Sequence, residues 1–130
     1  MQKNVQKFTL TITYIKILET VFELNEKGFY PLPQGVYKIV SGKTDEETLD
    51  YKWIKTYGSL ISFSSKKVSR FIMMLLRYEY LHKKYDPNTD ELYLEITDFG
   101  KSSLFEYQRK HKINYSKKES NKRRTIVKIS

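Results

Sequence analysis

At 130 residues and 15.6 kDa, with 15% aromatic side chains, the chain has the length for one core and more apolar bulk than disordered chains carry. Its 24 Lys and Arg against 15 Asp and Glu leave a net charge of +9; cysteine is absent, which removes disulfides, thiolate metal sites and cysteine nucleophiles together. No apolar run approaches the roughly 20 residues of a membrane helix, and Met1–Lys16 lacks the uninterrupted apolar stretch of a signal peptide, so a cytoplasmic protein is expected.

The charge is uneven. From Arg109 to Arg124 eight basic residues, among them Lys117, Lys118 and Arg123, stand against Glu119 alone, so this segment holds +7 and the remainder +2. Such an excess favours polyanions, nucleic acid ahead of an anionic membrane surface. The chain divides into a polar leader over 1–11, one folded domain over 12–107 and a basic tail over 108–130. The leader alternates Phe8, Leu10 and Ile12, which fits either a short strand or the approach to the first helix.

Taken in order, the first helix is predicted over Ile12–Glu26, with Ile12, Ile15, Leu18, Val21 and Phe22 on one side and Thr11 or Thr13 as cap. Gly28 suits the left-handed position that follows. Pro33 opens a second, short helix that buries Val36, Ile39 and Val40 and stops at Ser41-Gly42-Lys43. The acidic run Asp45-Glu46-Glu47 then fits the first turn of a third helix. Its inner side is predicted as Leu49, Trp53 and Ile54, its outer side as Lys52, Lys55 and Thr56. After the Tyr57-Gly58 break, Leu60–Phe63 reads as a short strand.

Ser64 or Ser65 caps a further helix over Lys66–Tyr78, with Val68, Phe71, Ile72, Leu75 and Leu76 at helical spacing. Lys66, Arg70, Met73 and Arg77 recur on its opposite face. The period then changes to two. Tyr80–Tyr85 and Leu92–Ile96 read as a hairpin around Asp86-Pro87-Asn88-Thr89-Asp90. Thr97-Asp98-Phe99-Gly100 begins a last helix held by Phe99, Leu104 and Tyr107.

No catalytic constellation emerges. Ser41-Gly42-Lys43-Thr44 imitates the end of a phosphate-binding loop, but six residues separate Gly35 from Gly42 where that motif needs four, and they pattern as helix. His82 and His111 are far apart and no cysteine supports them as zinc ligands; Asp86, Asp90 and Glu91 lack the glycine and spacing of a calcium loop. A non-enzymatic protein without metal or cofactor is expected.

Binding is better represented. Ser64, Ser65, Lys66, Lys67, Arg70 and Arg77 place hydroxyls, cations and a helix N-terminus where phosphates can be met. The hairpin adds His82, Lys83 and Lys84 beside Tyr80, Tyr85 and Tyr93, cations interleaved with rings that can stack on bases. Met73 discriminates: an ordinary solvated helix would bury it, whereas a binding face would leave it exposed. A helix with a basic outer face feeding a basic hairpin is the pattern of an α+β winged helix-turn-helix, with a C-terminal β-hairpin wing and flanking helices.

With these pieces in order, the chain from about Ile17 to Leu104 resembles the RQC domain, the winged-helix module that follows the helicase core in RecQ-family DNA helicases. Gly35–Lys43 is similar to the family's short helix ending in "L-R-G-S", with Ser41 for the arginine and Lys43 for the serine. Lys55–Leu60 resembles its "YG" turn. Ser64–Leu81 resembles its helix ending in "L-x-x-x-G-Y-L", with Glu79 for the glycine, and Leu92–Gly100 its closing "L-x-L-T-x-x-G" passage.

The resemblance implies binding of double-stranded or forked DNA through helix N-termini and the wing, and a nucleoid-associated location. It makes Tyr85 the candidate strand-separating wedge, although the tip Pro87-Asn88-Thr89 carries no aromatic residue. Two further readings use the same fold: a protein-interaction module, homodimeric through Met73, Met74, Phe105 and Tyr107, or a dimeric transcription regulator. No residue distinguishes RNA from DNA.

Overall fold

A computed structural model describes residues 8–43 and 51–111. Helix α1 spans Ile12–Glu26, α2 Pro33–Ser41 and α3 Ser65–Arg77; strands β1 (Leu81–Asp86) and β2 (Glu91–Ile96) follow, and helix α4 runs over 98–111. The result is an α+β winged helix. The three-helix part buries Ile15, Ile17, Leu18, Val21, Val36, Val40, Val68, Ile72 and Leu75 in one core, closed below by Leu81, Leu94 and Ile96 of the hairpin and by Leu104 of α4. Ile12, expected inside, is half exposed, while Ile17 joins this core and Leu24 is buried apart from it. The 1–7 part of the leader, the 44–50 part of the third predicted helix and the basic tail beyond His111 lie outside the described residues.

Each of α1, α2 and α3 ends the same way. In α1, Gly28 N–H bonds the Asn25 carbonyl and Phe29 N–H that of Leu24; in α2, Gly42 N–H bonds Ile39 and Lys43 N–H bonds Lys38. In α3, Glu79 N–H bonds Leu76 and Tyr80 N–H bonds Leu75. This paired closure puts the residue after the cap in the left-handed region, where glycine is unstrained. Gly28 (φ 87°) and Gly42 (φ 70°) fit, but Glu79 adopts φ 66° with a side chain.

A left-handed non-glycine residue costs roughly 1–2 kcal/mol, against about 0.5–1 kcal/mol for the extra freedom that glycine loses on folding. Glu79→Gly is therefore expected to stabilise the protein by about 0.5–1 kcal/mol, raising its melting temperature by a few degrees. A lower melting temperature would show that the carboxylate holds something the backbone argument misses.

Two expectations need correction. Residues 52–62 are successive turns rather than the second half of a helix. Trp53, predicted inside, is 49% exposed, and Thr56, predicted outside, is buried. The cause is a polar anchor. Thr20 Oγ1 donates to the Lys16 carbonyl at 2.7 Å, which leaves it to accept from the buried Thr56 hydroxyl. Lys55 N–H donates to Glu23 Oε1 at 3.2 Å, so the turns are clipped along α1 by polar bonds. Ile54 fills a separate small cluster with Leu24 and Ile39.

Leu60–Phe63 is likewise no strand. The chain there crosses α2's end instead, Gly58 N–H and Leu60 N–H bonding the Ile39 and Val40 carbonyls at 2.8 and 2.7 Å. The open edge of β2 is covered by the segment after α1. Leu94 N–H donates to the Pro31 carbonyl at 2.7 Å, and Ile96 N–H to Asn25 Oδ1 at 2.9 Å. Asn25 Nδ2 in turn donates to the Phe29 carbonyl at 3.0 Å. One amide thus fixes the wing against the end of α1, and the outward-facing N–H groups of Leu94 and Ile96, which a partner strand could otherwise pair with, are already used.

Candidate nucleic-acid interface

Helix α3 carries four cations and no acid in its thirteen residues. Val68, Ile72 and Leu75 are buried, so the helical period turns Lys66, Arg70, Met73 and Arg77 directly away from the core. All four are exposed, Met73 by 64%. Lys67 is exposed on the flank. Among the described residues the ion pairs are Lys55–Glu19, His82–Glu95 and Lys110–Glu106, so none of α3's cations has a carboxylate partner there.

Ser64 is the cap: its hydroxyl accepts the Lys67 N–H at 3.2 Å. The N–H groups of Ser65 and Lys66 sit in the first turn, where a helix offers no acceptor. Ser65 and Ser69 line an open cleft of about 670 Å³ between α2 and α3, opposite Gln34, Tyr37, Lys38 and Lys43. Sequence reasoning passed over this α2 side. Lys43 was available to it, as the residue standing at the serine position of the "L-R-G-S" element.

The wing is less basic than its lysines suggest. Over residues 81–96, Lys83 and Lys84 are outnumbered by Asp86, Asp90, Glu91 and Glu95, for a net −2. The strand period also separates the cations. Lys83 pairs across the ladder with Leu94, Lys84 with Tyr93. Lys83 lines a cleft with Leu76, Leu81 and Phe99, whereas Lys84 reaches the other side, its ammonium 4.5 Å from the Tyr30 ring centroid. His82 Nε2 lies 2.6 Å from Glu95 Oε1, so a carboxylate already faces the imidazole.

Tyr85 is 55% exposed and donates its hydroxyl to Asp90 Oδ1 at 2.7 Å. That bond, with smaller contributions from burial and the Asp86 charge, raises the phenol above its ordinary pKa. The ring therefore stays a neutral donor tied to the turn. Asp90, itself at φ 58°, and Asn88 N–H bonded to Asp86 Oδ1 at 2.9 Å shape the tip.

Arg109 is exposed on α4, which Gln108 ties to α1 through a 2.6 Å bond to Glu19 Oε2. Lys117, Lys118, Arg123 and Arg124 lie outside the described residues. Among the described residues no three His, Asp or Glu side chains gather as a metal site, and no helix is long and apolar enough to cross a membrane.

A comparison with curated protein sequences finds no match. The family model for the RQC domain matches residues 4–124. The "YG" turn and the element before it meet in space, a Cβ on Gly42 falling 3.1 Å from Gly58 Cα, and Glu79, at the motif position that resembles a glycine, is left-handed. With the match covering nearly its whole length and the hairpin wing in place after α3, the chain belongs to the RQC domain family.

Proposed function

We propose that this protein is a non-enzymatic DNA-binding module that grips the phosphate backbone of double-stranded or junction DNA. Helix α3 supplies Lys66, Lys67, Arg70 and Arg77, the cleft between α2 and α3 adds Ser65, Lys38 and Lys43, and Lys84 contributes from the first strand of the wing. One observation carries the reading: a helix with four exposed cations, three of them on one outward face, and not a single acid. RQC domains are the DNA-binding winged helices of RecQ helicases, which supports the same partner.

Met73, exposed between Arg70 and Arg77, gives this face an apolar contact of the kind that meets a thymine methyl group in the major groove. The acidic wing tip argues for grip rather than strand separation, because Asp86, Asp90 and Glu91 repel a backbone brought close to it.

Fluorescence anisotropy of a labelled blunt duplex between 50 and 200 mM salt tests the proposal. If about six of the seven named cations meet phosphates, the logarithmic salt slope is roughly −5 and the loss of affinity over that range is on the order of a thousandfold. Affinity independent of salt, or absent at 50 mM, refutes it.

A further inference from the structure

A second feature of the surface is aromatic rather than basic. Gly28, Phe29 and Tyr30, the turn after α1, face Lys84, Tyr85 and Tyr93 of the wing across an open cleft of about 440 Å³. This is within the range of sites that hold small molecules. Phe29 is 47% exposed, and its ring is set edge-on to Tyr51 at 5.8 Å between centroids. The tyrosine hydroxyls are held by the hairpin turn, Tyr85 on Asp90 and Tyr93 on Glu91 and Thr89 at 3.1 and 3.0 Å. The tip residues that repel phosphate thus orient rings.

We propose that this cleft accepts an unpaired nucleobase, stacked on Phe29 and Tyr93, with its phosphate held by the Lys84 ammonium that lies over Tyr30. The inference rests on the DNA-binding reading above and extends it to a second site with its own ligand. Three observations select the occupant. A stacking platform can read only a base whose face is free, so paired DNA does not fill it. An ammonium ion, the other guest of aromatic clefts, meets Lys84 already placed over Tyr30. Asp86, which also lines the cleft, repels phosphate but accepts hydrogen bonds from the exocyclic amino groups of cytosine, adenine or guanine.

The test compares the full chain on a blunt duplex and on the same duplex with a short single-stranded overhang, by anisotropy at one salt concentration. The overhang carries 2-aminopurine, whose fluorescence falls on stacking. The overhang is expected to bind about tenfold more tightly than the blunt end, with quenching. The Phe29→Ala/Tyr93→Ala double variant should lose that preference and keep its affinity for the blunt duplex, which also certifies its fold. Equal affinity for the two DNAs with no quenching, or a preference that survives in the double variant, overturns the cleft and leaves duplex binding standing. Binding to neither DNA overturns both readings.

Discussion

Gly100→Ala is expected to destabilise the protein by about 3 kcal/mol, lowering the melting temperature by roughly 10 °C. A Cβ on Gly100 would lie 2.1 Å from the Tyr80 carbonyl oxygen, 3.0 Å from its carbon and 2.9 Å from Ile96 Cγ1. The first of these is about an ångström inside normal contact, and the clashing atom is backbone, which cannot rotate aside. Nor can Tyr80 shift cheaply, since its carbonyl accepts the Thr97 N–H at 3.1 Å and its N–H closes α3 on Leu75.

The same carbonyl lies 3.1 Å from Thr97 Oγ1, which accepts the Gly100 N–H at 2.8 Å and so caps α4. Opening a gap for one methyl group therefore strains the junction of α3, β2 and α4 together. Alanine's helix propensity returns only about 1 kcal/mol. Thermal melting by circular dichroism decides the matter: an unchanged or higher melting temperature in Gly100→Ala would mean that the close approach is soft.

The "T-x-x-G" ending of the hairpin is thus a packing requirement, and this is why it could be read from sequence. Residues whose identity is forced by local geometry were legible: the glycines after α1 and α2, a serine cap narrowed to Ser64 or Ser65, the change of period from α3 to the wing. What escaped was held by groups that leave no pattern. The Pro31 carbonyl on Leu94 uses no side chain, and any residue at position 31 would offer the same oxygen. The buried Thr20–Thr56 pair breaks the rule that places threonine outside, and Trp53 is left in solvent as a result. At the site, helical spacing was enough to align Lys66, Arg70 and Arg77. The split of Lys83 from Lys84 was also available from the strand period, whereas the place of Lys38 across the cleft from Ser65 required α2 to be seen packed beside α3.

The triple variant Lys66→Ala/Arg70→Ala/Arg77→Ala separates function from architecture most sharply. If each cation neutralises one phosphate, the salt slope for a blunt duplex falls by roughly 0.9 per residue, about 2.7 in all, and affinity near 0.1 M salt falls by ~10²–10³-fold. Stability should move the other way, if at all. The three side chains point away from the core and lack carboxylate partners among the described residues. Lys66 and Arg70 are also like charges one turn apart, a pair that costs a few tenths of a kcal/mol in a helix. A variant that melts at the parental temperature or slightly above it, yet binds DNA hundreds of times more weakly, is the signature of a face kept for its partner at the fold's expense. A salt slope unchanged in the triple variant would move the phosphate contacts off α3 and remove the surface on which the function is argued.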